Sequence, residues 1–332
     1  MTKPLETASF AESAELAVVT RGDFIESRHA GSAVVLSPEG ETLVAMGAPE
    51  TPFFTRSALK PLQSLAMHSV GLSLASDEER ALSLASHDGF KRHAEVVWRM
   101  LSAGGLSDKA LLCPPSWPSN AAEARAHASR GGSRERMLHC CSGKHAAMLR
   151  TCQVNGWDLG TYLSPTHPLQ TTIKETVQRF TGEVPYVAVD GCGAPTHAVS
   201  LTGFARAMRR MATSEPQSPF PLHRHAYELL RSARAEGWAV CGPGTNDTTL
   251  IDRLGVFSKL GAEGSVVVIT PSGYVAVVKT LDGSQRPLHL VAGELLTRVG
   301  AISQEAFEAV KPELHLRVSG GGAPVGEIRV AF

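Results

Sequence analysis

The segment Thr55-Arg56-Ser57-Ala58-Leu59-Lys60-Pro61 sets a hydroxyl and an amine three residues apart. On one helical turn Ser57 and Lys60 would share a face. A serine hydroxyl is a poor nucleophile until a neighbouring base takes its proton. A lysine held neutral by burial or by positive neighbours is such a base. Backbone N–H groups at the helix start would lie where an oxyanion forms. Ser-x-x-Lys is a common spacing, and its bland reading is a helix start with a solvated lysine. Pro61 removes a backbone donor and disfavours the α region at Lys60, which allows a helix that begins at Pro61 with Ser57 in a tighter turn ahead of it.

Four further segments place reactive side chains beside small residues. Ser86-His87-Asp88-Gly89 closes a helical stretch, where Gly89 permits a sharp turn; blandly, Ser86 is only a turn residue. Cys141-Ser142-Gly143-Lys144-His145 runs into a helix. Asp190-Gly191-Cys192-Gly193-Ala194-Pro195 ends a short apolar strand, and its small residues let backbone approach a ligand. Lys259-Leu260-Gly261-Ala262-Glu263-Gly264 leads into another strand, where Lys259 would blandly be a solvated edge charge. Cys141-x-x-Lys144 with a distant Cys192 is no usual zinc spacing. Lysine binds a metal only when deprotonated, against an ordinary pKa of about 10.4. On spacing alone these cysteines are buried thiols, and Cys113, Cys152 and Cys241 read as core residues.

The elements that must position these groups lie in a strands-helices-strands order. Leu16–Thr20, Ile25–His29, Ser32–Leu36 and Thr42–Met46 read as an antiparallel meander, with turns at Arg21-Gly22-Asp23 and Pro38-Glu39-Gly40. Helices are expected over Leu62–Val70, Asp77–Leu84, His93–Leu101, Ala146–Val154, Leu169–Phe180, Ala198–Ala212, His223–Ala235 and Leu288–Val299. Pro185–Val189 reads as a short strand. Residues 120–135 are polar and Ala-rich and read as a mobile loop or lid. Strands return at Ser265–Thr270 and Gly273–Thr280, and 314–332 reads as a final hairpin. Short turns between consecutive strands mean antiparallel pairing. The expected class is therefore α+β: an antiparallel sheet from about 15–50 and 255–332, flanked by helices, with a mostly helical region at about 55–250. Residues 15–332 would form one catalytic unit behind a flexible leader, 1–14.

Composition narrows the class. The 332 residues are 43% hydrophobic and 19% charged, enough for a sizeable core. Lys+Arg and Asp+Glu both number 32, which gives no reason to expect nucleic acid or an anionic membrane as partner. No apolar run reaches the roughly 18 residues of a spanning helix, and the polar start lacks a signal peptide's apolar core. A cytoplasmic protein is the default. Six cysteines in a chain this long are expected to be thiols or metal ligands, not a disulfide framework.

Taken together, R-S-x-x-K-P at 56–61, S-H-x-G at 86–89, C-S-G-K-H at 141–145, D-G-C-G-x-P at 190–195 and K-x-G-A-E-G at 259–264 resemble the rhizobial-type, class 3 L-asparaginases. The resemblance runs from about residue 16 to the end. It implies the fold of the serine β-lactamases and penicillin-binding proteins, whose Ser-x-x-Lys pair the 57–60 segment also matches. It implies Ser57 with Lys60 as one catalytic pair, Ser86 with Lys259 as a second, and Zn2+ held by Cys141, Lys144 and Cys192 with a fourth position open to water. Arg56 and Asp190 match positions of substrate contact. His87 and Glu263 stand as further substrate-side candidates, and His87 and His145 also as residues that orient their neighbours. Cys140, which doubles the thiol beside Cys141, differs from the family pattern. A homodimer is implied as well.

Hydrolysis of the asparagine side-chain amide needs a nucleophile on the amide carbon, a base for its proton and an acid for departing ammonia. Two Ser–Lys pairs supply these. Adjacent lysines depress one another's pKa, and a neutral Lys60 beside a charged Lys259 is the expected working state. Ser57 is then the nucleophile, Lys60 its base, and Ser86 with Lys259 the relay; the reverse choice, Ser86 as nucleophile, stays open, as does activity on glutamine. A zwitterionic substrate wants a guanidinium for its carboxylate and a carboxylate for its ammonium, the parts given to Arg56 and Asp190. The competing readings are a β-lactamase-like serine amidohydrolase or esterase for another small amide, and a non-catalytic amino-acid-binding relative.

Overall fold

The computed structural model of the chain describes residues 5–332; residues 1–4 of the expected leader lie outside the described part. The chain opens with β1 (Ala14–Arg21), β2 (Phe24–Leu36), β3 (Thr42–Met46) and β4 (Pro52–Phe54). A helical run follows: α1 (Lys60–Ser69), α2 (Asp77–Ser83), α3 (Lys91–Ser102), α4 (Ala121–Ser129), α5 (Ser142–Asn155) and α6 (Pro168–Thr181). It is broken by β5 (Tyr186–Val189) and β6 (Pro195–Ser200), then resumes as α7 (Leu201–Ala212), α8 (Pro221–Ala235), α9 (Gly237–Val240) and α10 (Asn246–Leu254). The chain ends with β7 (Phe257–Gly261), β8 (Ser265–Ile269), β9 (Val275–Thr280), α11 (Leu288–Arg298), α12 (Gln304–Val310), β10 (Arg317–Gly320) and β11 (Ala323–Val330).

The main sheet has the order β10-β11-β1-β2-β9-β8-β7, with β3 also on β2, so N- and C-terminal strands interleave as the α+β expectation requires. Its pairings are antiparallel. The two strands expected at 25–29 and 32–36 are one strand, β2. Its first half pairs with β1, and its second half carries β3 on one edge and β9 on the other. Gly31 sits at the changeover, where a Cβ would fall 2.1 Å from the Lys279 carbonyl oxygen. A second, three-stranded sheet, β4-β6-β5, has no counterpart in the sequence reading beyond its short β5. The helix expected from Ala198 starts only at Leu201, because Pro195–Ser200 is the wholly buried central strand of that sheet.

Strand alternation divides the core between two faces. Val34, Leu36, Val267, Ile269, Val275 and Val277 face the helical region, while Ala33, Val35, Val266, Val268, Ala276 and Val278 face α11 and α12. Burial on both faces explains why β8 is a continuous apolar run without polar alternation. Phe257 lies in the helical-side core, so Lys259, two residues on, points the same way. There it meets α1, whose residues Lys60 to His68 are all buried. Residues 120–135 contain α4, capped by the Asn120 side chain, where a loop or lid was expected.

Candidate active site

A 3-10 turn, Arg56–Leu59, precedes α1, with Pro61 in the helix's first turn. The tighter turn that Pro61 allowed is thus present. Arg56 has φ 48°, a left-handed backbone that costs a non-glycine residue about 1–3 kcal/mol and tends to occur at functional sites. The turn is seated on β7 and β6. Gly261 leaves room for it, since a Cβ there would lie 2.7 Å from the Thr55 carbonyl oxygen and 3.2 Å from the Ala58 nitrogen. Thr55 anchors the other side through its Oγ1, which donates to the His197 carbonyl at 2.9 Å.

Lys60 is 1% exposed, and its Nζ donates to the Ser86 hydroxyl at 2.8 Å and to the Ala85 carbonyl. Its hydrogen-bond partner is therefore the second serine. Among the described residues, the Ser57 hydroxyl has no hydrogen-bond partner, and the residue is half-buried. The loop after α2 holds Ser86 by three backbone bonds: Ser86 N–H to Val240, His87 N–H to Cys140 and Asp88 N–H to Cys241. Lys259 is fully buried, and its Nζ donates to the Leu260 carbonyl at 2.9 Å. Burial pushes its pKa down, and the Lys60 charge adds to this against the pull of Asp247. Burial thus eases loss of the Lys259 proton. Asp88, raised by burial, also feels Lys259 and borders a cavity of about 370 Å³ lined in addition by Cys241, Asp247, Arg286 and His289.

A second polar centre forms where α5 begins. Cys141 caps the helix and Lys144 lies one turn in, both buried. The Lys144 Nζ is 3.2 Å from Cys192 Sγ, which is 3% exposed. Burial opposes the Lys144 charge, yet Cys192, Cys141 and Asp190 outweigh it and push its pKa up. The contact with Cys140 opposes ionisation of Cys141, but Cys192, Lys60 and Lys144 draw its thiol down to about 7. His145 is fully buried: the Leu112 N–H donates to the Tyr162 hydroxyl at 2.9 Å, which lies 2.7 Å from His145 Nδ1. The other ring nitrogen faces the Cys192 thiol. Two thiols and one amine are a donor set for a soft divalent cation only once Lys144 gives up its proton.

The substrate-side candidates separate. Arg56 and Asp190 meet: Nη2 and Nε lie 2.8 and 2.9 Å from Asp190 Oδ1, with side chains 24% and 14% exposed. The same oxygen accepts the Gly191 N–H at 2.7 Å. Burial raises the Asp190 pKa, but Lys144, the Gly191 N–H and Arg56 together bring it below the ordinary value. His87 is a correction to the expected substrate contact. It is 1% exposed, its Nδ1 accepts the Gly89 N–H at 3.2 Å, and its Nε2 lies 2.8 Å from the Ser142 hydroxyl, so neither nitrogen is left for a substrate. Burial, with His93 and Lys60, keeps its pKa well below normal. Glu263 is exposed in the β7–β8 hairpin at φ 59°, over Gly283 and near Lys279, apart from the Arg56–Asp190 pair.

The family model of L-asparaginase II matches residues 17–330. The chain belongs to the L-asparaginase II family. That membership places it among amidohydrolases. A comparison with curated proteins finds no match. Among solved structures, Mglu in its glutamate form is 13% identical with a TM-score of 0.46, over 82% of this chain and 61% of its own length. The chain thus spans about three fifths of Mglu. A putative β-lactamase from Bacteroides dorei is 13% identical with a TM-score of 0.46, over 82% of this chain and 92% of its own. The Bacillus subtilis glutaminase YbgJ, as its covalent complex with 5-oxo-L-norleucine, is 14% identical with a TM-score of 0.36, over 85% and 88% of the two chains.

One part of the site in this L-asparaginase II family chain escaped the sequence reading. Asp247, 2% exposed, accepts Ser258 Oγ at 2.6 Å and the Leu260 N–H at 2.9 Å, and lies 2.9 Å from His289 Nε2. It satisfies the outer edge of β7 on both sides of Lys259. Burial opposes its charge, but His289, Lys259 and Ser258 hold its pKa far below normal. Nothing in the spacing of 247, 258 and 289 marks this cluster. No helix among the described residues is long and apolar enough to cross a membrane.

Proposed function

We propose that the protein hydrolyses the side-chain amide of L-asparagine to L-aspartate and ammonia, as one catalytic unit over 15–332. The observation that carries this reading is the buried Lys60–Ser86 contact, with the buried Lys259 close enough to Lys60 to feel its charge and a half-buried Ser57 three residues before Lys60 whose hydroxyl has no partner among the described residues. A buried amine bonded to a serine, with a second buried amine close by, has little use in a binding protein. It does supply the base and the acid that amide cleavage needs.

The Ser57 oxygen attacks the amide carbon and its proton passes into the Lys60–Ser86–Lys259 set. That set needs one neutral amine, and the lowered pKa of Lys259, due first to burial, supports giving it that part. The N–H groups of the 56–59 turn face the developing oxyanion. When the carbon–nitrogen bond breaks, the set returns the proton and ammonia leaves. Water then attacks the seryl ester, gives its proton to the same set, and Ser57 recovers its hydrogen as aspartate departs. Arg56 and Asp190 hold the substrate's carboxylate and ammonium, separating from one another to do so. Cys141, Lys144 and Cys192 would hold Zn2+, which when bound supplies a fixed positive charge beside Asp190. The reading includes the cytoplasmic homodimer implied by the family resemblance, for which sedimentation of the purified protein is the test.

Ammonia release from L-asparagine, L-glutamine and a chromogenic β-lactam, measured side by side on purified protein, tests the reading. Turnover of asparagine is expected. Turnover of the β-lactam without asparagine would replace it with a β-lactamase-like hydrolase. Asparagine binding without ammonia would replace it with a non-catalytic binder.

A further inference from the structure

Next to the inner donor set lies a second group of metal-capable atoms. His139 Nδ1, Cys140 Sγ and Cys141 Sγ are all within 4.8 Å of one another. The two sulfurs are 3.8 Å apart, and Cys140 Sγ is 3.9 Å from His139 Nδ1. Tetrahedral coordination with metal–sulfur bonds of about 2.3 Å requires a sulfur–sulfur edge of about 3.8 Å. The spacing is fixed by the local backbone. A 3-10 turn, Arg136–Leu138, delivers His139, and Cys141 begins α5. His139 Nδ1 accepts the Cys141 N–H at 3.0 Å, so it is the unprotonated ring nitrogen, the form that ligates. His139 and Cys140 are partly exposed while Cys141 is buried, which gives an ion a path from solvent.

We propose that His139, Cys140 and Cys141 form an outer position for a thiophilic divalent cation such as Zn2+ or Cd2+. It shares Cys141 with the inner set, Cys141–Lys144–Cys192, and differs from it in every other ligand. Binding forms two metal–sulfur bonds, releases to solvent the Cys140 thiol proton and, where the inner position is empty, that of Cys141, and exchanges the bond between His139 Nδ1 and the Cys141 N–H for one to the ion. Two sulfurs and an imidazole select soft cations over Mg2+ or Ca2+. The position also touches the catalytic loop, because the Cys140 carbonyl accepts the His87 N–H next to Ser86. The proposal rests on the zinc reading above only for the inner position.

Equilibrium binding of Cd2+ to the metal-stripped, purified chain tests it, with Cys140→Ser and Cys192→Ser measured beside the wild type. Two ions are expected in the wild type, one of them weakened by about tenfold or more in Cys140→Ser and the other in Cys192→Ser. A single ion lost in Cys192→Ser and unchanged in Cys140→Ser overturns the outer position and leaves the zinc reading standing. A single ion lost in Cys140→Ser and kept in Cys192→Ser supports the outer position and removes the zinc reading. No binding at all overturns both. The unmutated chain gives a second readout: Cd2+ should protect Cys140 from alkylation in the native state. Alkylation of Cys140 at the metal-free rate would contradict the proposal.

Discussion

Lys259 and Lys144 are both buried, at 0% and 2% exposure, yet their amines are driven in opposite directions. Burial alone would make both neutral. At Lys259 the nearest strong charge of the same sign, Lys60, adds to burial, and Asp247 on the far side of β7 does not cancel it. At Lys144 two thiols and Asp190 reverse the effect of burial. The lesson is that burial prevails at Lys259 and is overridden by anionic neighbours at Lys144. One setting eases loss of the lysine proton, and the other holds it.

Within this comparison, the largest effect should separate the two lysines. Lys259→Met is expected to lower kcat by about 10²–10⁴-fold, with the melting temperature unchanged or raised because an apolar side chain of similar length replaces a buried amine. Lys144→Met should cost less, about 10–100-fold, by loosening Cys192. Ammonia release and thermal melts on both variants check this, and equal losses would break the distinction. Next in size, Asp247→Ala strips three groups of their acceptor and should destabilise the fold by about 3–5 kcal/mol in urea titrations. A loss under about 1 kcal/mol would mean that β7 does not depend on it.

A smaller effect is expected where the two centres meet. A double-mutant cycle on Arg56→Ala and Asp190→Ala should give a coupling of about 0.5–3 kcal/mol in stability, with KM for asparagine raised in each single variant. Additive effects on stability would show that the ion pair is incidental. The smallest signal is in pH. A lysine base works as the neutral amine, whose fraction grows as pH rises. Since Lys259 is depressed, kcat/KM should rise along a limb with its midpoint below the ordinary lysine value of about 10.4. A midpoint at or above that value would place the base elsewhere.

Much of this was legible because local pattern and tertiary environment agree. The turns at Gly22 and Gly40, the apolar runs of β1, β8 and β9, and the amphipathic helices α6 and α8 follow from spacing alone. Ser57, Lys60, Ser86 and Lys259 could be named from their motifs. What could not be read were the pairings. Lys60 bonds to Ser86, and Arg56 turns to Asp190 through a left-handed backbone that no residue type at 56 announces. Residues 25–36 look like two strands because Gly31 interrupts the apolar pattern, yet close backbone packing is what that glycine serves. β4 and β6 were missed because a three-residue strand and a strand beginning at proline carry almost no periodic signal. Asp247, Ser258 and His289 converge from three elements, and only the fold brings them together.

The account turns on Ser57, a half-buried serine whose hydroxyl has no partner among the described residues, so the most direct measurement is ammonia release from L-asparagine by Ser57→Ala beside the wild type. The predicted result is a fall in kcat by about 10⁴-fold or more, with asparagine binding retained in calorimetry. Normal turnover by Ser57→Ala would contradict the account and move the nucleophile to Ser86.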